Sequence, residues 1–432
     1  MSPGTIFALA TGQSRAAIAV VRISGADAGA ALEALAGGLP PARRASLRML
    51  SHRGEALDRA LVLWLPGPAS FTGEDMAELH LHGGRAVVAG VLDALVALGL
   101  RPAEPGEFTR RAFENDRLDL TEAEGIADLA AAETAGQRRQ ALRQMGGALG
   151  ALYEDWRARL IAALAYVEAG IDFADEADVP EGIGESVRPD IEALAAGIAA
   201  HLADSGRGER LREGLEVAIL GAPNAGKSSL LNALVKREAA IVSAIAGTTR
   251  DVIEARLDLS GWPVTLADTA GLRASADEIE GEGVRRALER AARADLKLVV
   301  LEAGRPIPPE VAPLIDADAL VVRNKSDLAQ PEPDGLAVSA RTGAGLPELR
   351  AAIEAEAARR LDAGPAPALS RARHRAALED CRAALSRALA GGEIELVAED
   401  LRLAARALGR ITGRVDVEDI LDAVFAEFCI GK

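Results

Sequence analysis

The order of apolar and polar positions changes character along the chain and divides it into segments of distinct texture. In residues 1–118, short β-rich runs at 17–23, 60–65 and 77–82 accompany one clear helix at 85–98. Turn residues separate them at Pro66-Gly67-Pro68, Gly83-Gly84, Pro102 and Pro105-Gly106. Strands and helix mixed in this way predict an α+β domain. From 119 to 211 the chain turns rich in Ala, Leu, Glu and Arg, with apolar residues at helical spacing such as Leu160, Leu164 and Val167. Asp178-Val179-Pro180-Glu181-Gly182-Ile183-Gly184 breaks this stretch into at least two long helices. Between 212 and 366, short apolar runs at 216–220, 264–267, 296–301, 319–322 and 337–338 alternate with amphipathic helices. That alternation predicts a mostly parallel sheet, which takes ligands at the carboxyl ends of its strands. Helical texture returns at 367 and runs to 432. The economical reading is one all-α domain, 119–211 plus 367–432, interrupted by an inserted α/β domain whose ends near Leu211 and Pro367 lie close together. Two unrelated helical pieces are the alternative.

Composition narrows the setting. The 432 residues suffice for two or three cores. A net charge of −16 argues against a nucleic-acid coat along the whole chain, since phosphate binding uses clustered Lys and Arg, but it leaves a local basic patch open. Arg371, Arg373 and Arg375, and Arg402, Arg406 and Arg410 at i, i+4 and i+8, either contact phosphate or serve as solubilising charge. Cys381 and Cys429 form neither a zinc pattern nor a disulfide framework, which points to a reducing compartment. No apolar run approaches the ~20 residues of a membrane span, and the first residues lack the basic start and apolar stretch of a signal peptide. The expected location is cytoplasmic.

Four short segments carry the chemistry of the inserted domain. Gly221-Ala222-Pro223-Asn224-Ala225-Gly226-Lys227-Ser228, followed by Ser229, matches the phosphate loop G-x-x-x-x-G-K-[ST]. Its backbone N–H groups surround phosphates, Lys227 reaches the β- and γ-phosphates, and Ser228 offers a hydroxyl to Mg²⁺. Ser243-Ala244-Ile245-Ala246-Gly247-Thr248-Thr249 supplies the candidate switch threonine, Thr249, which closes on Mg²⁺ when a γ-phosphate is present. In Asp268-Thr269-Ala270-Gly271, Asp268 holds the Mg²⁺ shell through water and Gly271 turns its N–H to the γ-phosphate. Asn324-Lys325-Ser326-Asp327 selects the base: the Asp327 carboxylate accepts from guanine N1–H and the exocyclic amine, a donor pair that adenine lacks. Ser339-Ala340-Arg341 fits the loop that closes over guanine. Four segments in this order predict a Ras-like P-loop GTPase that binds GTP and GDP.

Two usual parts are missing. Leu272 stands where many small GTPases carry a glutamine to orient the attacking water, and leucine cannot hydrogen-bond to water. Glu278, Glu280 and Glu282 are the candidate replacements; a solvated helix start is the other reading of such acids. No arginine finger is evident. Asn224 either holds a monovalent cation together with switch carbonyls or simply forms the turn after Pro223.

Outside these segments the chain reads Phe71-Thr72-Gly73-Glu74-Asp75, Glu78-Leu79-His80-Leu81-His82-Gly83-Gly84, and Pro105-Gly106-Glu107-Phe108-Thr109-Arg110-Arg111-Ala112-Phe113. It closes on Phe428-Cys429-Ile430-Gly431-Lys432. On these motifs it resembles, over its whole length, the MnmE (TrmE) family of bacterial and organellar tRNA-modification GTPases. One departure is Asn115-Asp116-Arg117-Leu118-Asp119-Leu120, where the family usually has N-G-K-x-D-L; Arg117 keeps the charge but not the ammonium geometry.

The resemblance implies an amino-terminal domain (1–118) akin to folate-binding aminomethyltransferases. That domain dimerises and binds 5-formyl- or methylene-tetrahydrofolate through Arg22, Glu78, Arg117 and Lys432. Read as residues alone, Arg22 can face solvent from a strand, Glu78 can join a polar cluster with its histidines, and Lys432 can fray as a terminus. The resemblance further implies a K⁺ site on Asn224, Ser243, Ile245 and Thr248, Glu280 as the water-orienting residue, and Cys429 as a participant in tRNA modification. A buried inert thiol is the other reading of Cys429. The implied partner is the FAD-dependent MnmG (GidA) protein, joined in a heterotetramer that alters carbon five of the wobble uridine in certain tRNAs. Flavin and NADH belong to that partner, since no G-x-G-x-x-G fingerprint follows a strand here. Two rival expectations are a ribosome-assembly or translation-associated GTPase switch, and a standalone folate-dependent one-carbon transferase. Formyl-folate binding excludes the first, and modification without a partner identifies the second.

Overall fold

In the computed structural model, which describes residues 4–12, 16–172, 183–204, 206–237, 254–268, 293–362, 364, 366–415, 418–426, 428, 430 and 431, the chain runs through β1 (Ile6–Leu9), β2 (Ile18–Ser24), α1 (Ala28–Ala36), β3 (Ser46–His52), β4 (Glu55–Leu65), β5 (Met76–His82), α2 (Arg85–Ala97), β6 (Arg101–Pro102) and α3 (Glu107–Glu114). Helices α4 (Leu120–Ala131), α5 (Ala135–Met145), α6 (Ala148–Asp172), α7 (Ile183–Leu202) and α8 (Arg207–Glu213) follow. Next come β7 (Leu215–Leu220), α9 (Lys227–Arg237), β8 (Glu254–Leu259), β9 (Trp262–Asp268), β10 (Leu296–Glu302), β11 (Ala319–Asn324) and β12 (Leu336–Ala337). The chain ends in α10 (Leu346–Leu361), α11 (Ala372–Ala390), α12 (Ile394–Thr412) and α13 (Glu418–Ala426). Contacts divide these into two units. One comprises Met1–Ala127, Gln144–Ala162 and Arg402–Lys432; the other comprises Asp128–Arg143 and Ala163–Leu401.

In the first unit six strands form one sheet in the order β3-β4-β5-β2-β1-β6. Strand alternation puts Ala19, Val21 and Ile23 of β2 and Ala77, Leu79 and Leu81 of β5 on one face, where they pack with Leu32 and Leu35 of α1 and Val91 and Leu95 of α2. The same alternation leaves Arg22, Glu78 and His80 on the opposite face. Beyond the sheet, Leu120 and Ala123 of α4 share a core with Leu421, Val424 and Phe425 of α13 and with Phe428. The contact is close: Gly106 (φ 70°) begins α3 where a Cβ would lie 2.6 Å from the Phe425 carbonyl oxygen. Ile430 then pairs with Pro105 in an antiparallel bridge. A Cβ on Gly431 would sit 2.6 Å from the Leu9 carbonyl oxygen. The segment before Lys432 is therefore tied to β1 instead of fraying; Lys432 itself lies outside the described residues.

The second unit holds the predicted mostly parallel sheet, ordered β12-β11-β10-β7-β9-β8. Neighbours are parallel except for β8, which the sequence reading missed and which pairs antiparallel with β9. Val217, Ile219, Leu266, Leu298, Val300 and Val322 form its core with Leu230 and Leu231 of α9 and Leu349 and Ile353 of α10. Full burial of each such leucine contributes roughly 1.5–3 kcal/mol.

Where α8 leads into β7, the chain lies against the segment that follows α10. A Cβ on Gly208 would fall 2.1 Å from the Leu369 carbonyl oxygen. Asp128 takes Arg212 at 3.0 Å and Arg371 at 2.8 Å, while Arg375 pairs with Asp204 at 2.9 Å and Glu209 at 3.0 Å. Arg371 and Arg375 thus carry ion pairs to Asp128 of α4 and Glu209 of α8. Arg373, Arg402, Arg406 and Arg410 also have partners within the chain. Among the described residues no helix is long and apolar enough to cross a membrane.

Candidate functional site

The phosphate loop follows the carboxyl end of β7. Gly221 (φ 140°) is pressed against β10, so that a Cβ would lie 2.1 Å from the Val300 carbonyl oxygen. Asn224 takes a left-handed φ of 64° and is exposed, which suits a turn and also presents its amide outward. Gly226 (φ 92°) meets Asn324: a Cβ there would sit 2.3 Å from Asn324 Nδ2. Lys227 and Ser228 open α9 with Ser229 behind them, and the buried Lys227 Nζ donates to the carbonyls of Gly221 at 2.8 Å and Ala222 at 2.9 Å. The loop, the ammonium and the first turn of α9 form an anion-binding helix start.

Asn324 does something the sequence did not reveal. It is 2% exposed at the end of β11, and its side chain joins two loops. Nδ2 donates to the Ala225 carbonyl at 2.8 Å, and Oδ1 accepts from the Ala340 N–H at 3.1 Å. One residue earlier, buried Arg323 makes a two-pronged ion pair with Asp334, at 2.9 and 2.7 Å, and donates to the Arg305 carbonyl at 2.7 Å. That fastening fixes the strand that carries Asn324. Lys325 follows with φ 63°, its Nζ 3.2 Å from Glu302. Asp327 faces Ser339, whose hydroxyl donates to Oδ1 at 2.5 Å, and Arg341, which donates to Oδ2. The Ser339 hydroxyl, and the Arg341 charge after it, hold the Asp327 carboxyl below the usual carboxylate range, so it is an ionised acceptor at neutral pH. The structure therefore brings the phosphate loop, the N-K-x-D segment and the Ser339–Arg341 loop to one end of the sheet.

Other candidates lie outside the described residues: Ser243, Ala244, Ile245, Ala246, Gly247, Thr248, Thr249, Thr269, Ala270, Gly271, Leu272, Glu278, Glu280, Glu282, Cys429 and Lys432. For Asp268 only the backbone is described; it ends β9 opposite Ile219 of β7.

In the first unit, Arg22 and Glu78 sit opposite each other on β2 and β5. Their side chains pair at 3.1 Å, and His80 Nε2 lies 3.3 Å from the other Glu78 oxygen. The Arg22 guanidinium lies 5.7 Å from the Phe71 ring and 5.9 Å from the Phe108 ring, within cation–π reach of both. Arg22 is thus not a free surface charge. Arg117 is exposed, and its stem packs beside Gly73, where a Cβ would be 3.3 Å from Arg117 Cγ. Among the described residues, two buried polar atoms of α3, Arg111 Nε and Thr109 Oγ1, have no hydrogen-bond partner. A charged pair beneath aromatic rings, with spare polar atoms on the helix that carries one of those rings, fits a flat polar heterocycle such as a pterin.

Cys381 is fully buried in α11, and burial, with Asp380 beside it, pushes its thiol up to about 12. A Cys429→Ser chain is therefore expected to release no colour from a disulfide reagent in native buffer and one thiol equivalent after unfolding. Rapid native labelling would contradict the inert assignment of Cys381.

A family model described as MnmE helical domain matches residues 120–429, and one described as GTP-binding protein TrmE N-terminus matches 5–117. The tRNA modification GTPase MnmE of Parvibaculum lavamentivorans is 60% identical over 99% of this chain and 100% of its own length. That of Gluconacetobacter diazotrophicus is 59% identical over 99% of this chain and 98% of its own. Among solved structures, the G domain of the T. maritima FeoB iron transporter covers 33% of this chain and 98% of its own, at 25% identity and a TM-score of 0.26. With full-length relatives at this identity and glycine, lysine and asparagine meeting in one phosphate loop, the chain belongs to the MnmE family of tRNA modification GTPases.

Proposed function

We infer that the protein is a cytoplasmic GTP hydrolase that works with a flavin-dependent partner, MnmG. Together they add an aminomethyl-type group to carbon five of the wobble uridine of certain tRNAs, using a one-carbon unit from formyl- or methylene-tetrahydrofolate. The observation that carries the GTPase part is the meeting of Gly226, Asn324, Ala340 and Asp327 at one strand end. A phosphate loop and an ionised carboxylate at the same end of the sheet support that reading. We assign 1–118 to the folate-binding and dimerisation domain, 119–211 with 367–432 to the helical domain, and 212–366 to the GTPase domain.

Ser228, in the first turn of α9, and Thr249 would hold Mg²⁺, with Asp268 behind its water shell. Asn224, exposed at its turn, would hold K⁺ with Ser243, Ile245 and Thr248. Such a cation supplies positive charge between the phosphates, the task an arginine finger performs elsewhere. Lys227 neutralises the β- and γ-phosphates, Gly271 donates its N–H to the γ-phosphate, and Glu280 orients water where Leu272 cannot. Arg22, Glu78, Arg117 and Lys432 would take the folate, the first two already paired on adjacent strands. Cys429 is assigned to the modification step.

Two measurements test this. Nucleoside analysis of tRNA from cells lacking the protein should show wobble uridine without its carbon-five substituent; an unchanged nucleoside profile refutes the role. Replacing Na⁺ by K⁺ should raise GTP turnover on the order of a hundredfold, the scale of one well-placed transition-state charge. Glu280→Ala should lower turnover with nucleotide affinity intact. Equal rates in both salts and an active Glu280→Ala chain would contradict the mechanism.

A further inference from the structure

We propose that Arg111, acting through Glu74, is the positioning residue of the amino-terminal one-carbon site: it holds apart and in register the two aromatic rings that bracket Arg22. The inference rests on the folate reading given above.

The two rings come from different elements. Phe71 begins the 71–75 loop ahead of β5, and Phe108 sits in α3. Both rings pack against the same small apolar core, and a polar joint ties the loop to the helix above Arg22. That joint is Arg111, one turn along α3 from Phe108 and 2% exposed. Its Nη1 lies 3.0 Å from Glu74 of the loop, and its Nη2 lies 2.9 Å from Glu107 and 2.8 Å from the Gly4 carbonyl. Glu74 reaches inward from there: the same oxygen that meets Arg111 accepts from the Ser24 hydroxyl at 2.7 Å, and Ser24 meets Thr72 at 2.7 Å. Ser24 ends β2, the strand that carries Arg22. One guanidinium therefore connects the helix bearing one ring, the loop bearing the other, and the strand bearing the residue between them.

The far side of the loop is pinned to the segment that holds Arg117. Asn115 Nδ2 donates to the Thr72 carbonyl at 2.8 Å. Gly73, at φ 81°, leaves room for the Asn115 and Arg117 stems that a Cβ would meet at 3.0 and 3.3 Å. If the loop moves, Phe71 leaves Arg22 and Arg117 loses its backing together, so two of the candidate folate residues share one mechanical support. Charge supports the joint as well. Burial alone pushes the Glu107 carboxyl up, but bonds from Arg101, the Glu104 N–H and Arg111 outweigh it and hold it below the usual range. Glu107 thus stays ionised beside Arg111, and charge-assisted bonds are the stiff kind.

The test titrates the full-length protein with 5-formyl-tetrahydrofolate by calorimetry, with GTP affinity and thermal melting measured on the same samples. Glu74→Gln keeps the shape of the side chain and an acceptor for Ser24 but weakens the Arg111 bond. It should lower formyl-folate affinity about tenfold, the scale of one charge-assisted bond, with GTP affinity unchanged. Arg111→Met should lose more, and Arg111→Lys, which keeps the charge but not the two-pronged reach, should recover part of that loss. A melting temperature that drops while the folded variants bind formyl-folate as the wild type does would show Arg111 to be merely structural and overturn the proposal. No binding by the wild-type protein would overturn the folate reading itself, and the proposal with it.

Discussion

Asn324→Ala is expected to weaken GTP and GDP binding by about 3 kcal/mol, more than a hundredfold, although in this structure the asparagine touches only its own chain. Its amide links the phosphate loop to the base-closing loop: one end holds the Ala225 carbonyl, the other the Ala340 N–H. Alanine leaves both backbone groups without a partner at a position 2% exposed, and each orphaned group costs about 1–3 kcal/mol. Part of the loss will appear as lower thermal stability. The remainder will appear as affinity, because both loops must be in place when the nucleotide arrives. Asn324→Asp provides the control: a carboxylate still accepts from Ala340 but cannot donate to Ala225, so it should be no better than alanine. Titration of a fluorescent guanine nucleotide measures all three proteins. Affinities within threefold of wild type would show that the two loops hold their places without the amide.

Asp327→Asn should exchange the base that the protein prefers. Guanine offers two donors, N1–H and its amine, to two carboxylate oxygens. The same oxygens now accept from Ser339 and Arg341, which shows that the carboxylate is oriented and ionised. An amide presents one acceptor and one donor, so GTP affinity should fall about thirtyfold or more, as when a bonded donor is left facing another donor. Xanthine carries a carbonyl where guanine carries its amine, and XTP affinity should rise in the same variant. A competition assay of XTP against GTP reads the ratio directly. A variant that still prefers GTP would remove Asp327 from the base site.

Much of the GTPase half was legible because its signals are local. Phosphate-loop glycines, apolar runs of strand length and the Asn-Lys-x-Asp order are each contained within a few residues, and β7, β9, β10 and β11 lie where the periodicity put them. The strand β8 was missed although it alternates regularly, with Ala255, Leu257 and Leu259 toward the core between Glu254, Arg256 and Asp258, because the strands recognised were continuous apolar runs. In the amino-terminal half, β3 and α1 were missed for a related reason. Leu47 and Met49 are exposed while only Leu50 is fully buried, so β3 shows little alternation, and α1 is a nine-residue helix built mostly of alanine, whose apolar stripe is faint. Partners distant in sequence are what local reading cannot supply. Arg111 and Glu74 are 37 residues apart, and both stood inside motifs noticed only for their resemblance. Arg371 and Arg375 looked like free charge until Asp128 and Glu209 were found beside them.

The close approach of Gly208 to Leu369 has a mechanical meaning. The chain enters the segment between them and leaves it at the same place, backbone against backbone, with Arg371 and Arg375 clamped across the opening. A pull transmitted along the helices on either side would load this clasp in shear and pass from one strand of the clasp to the other. The sheet that carries the phosphate loop would hang outside the line of force, as a bead hangs from a closed loop of thread.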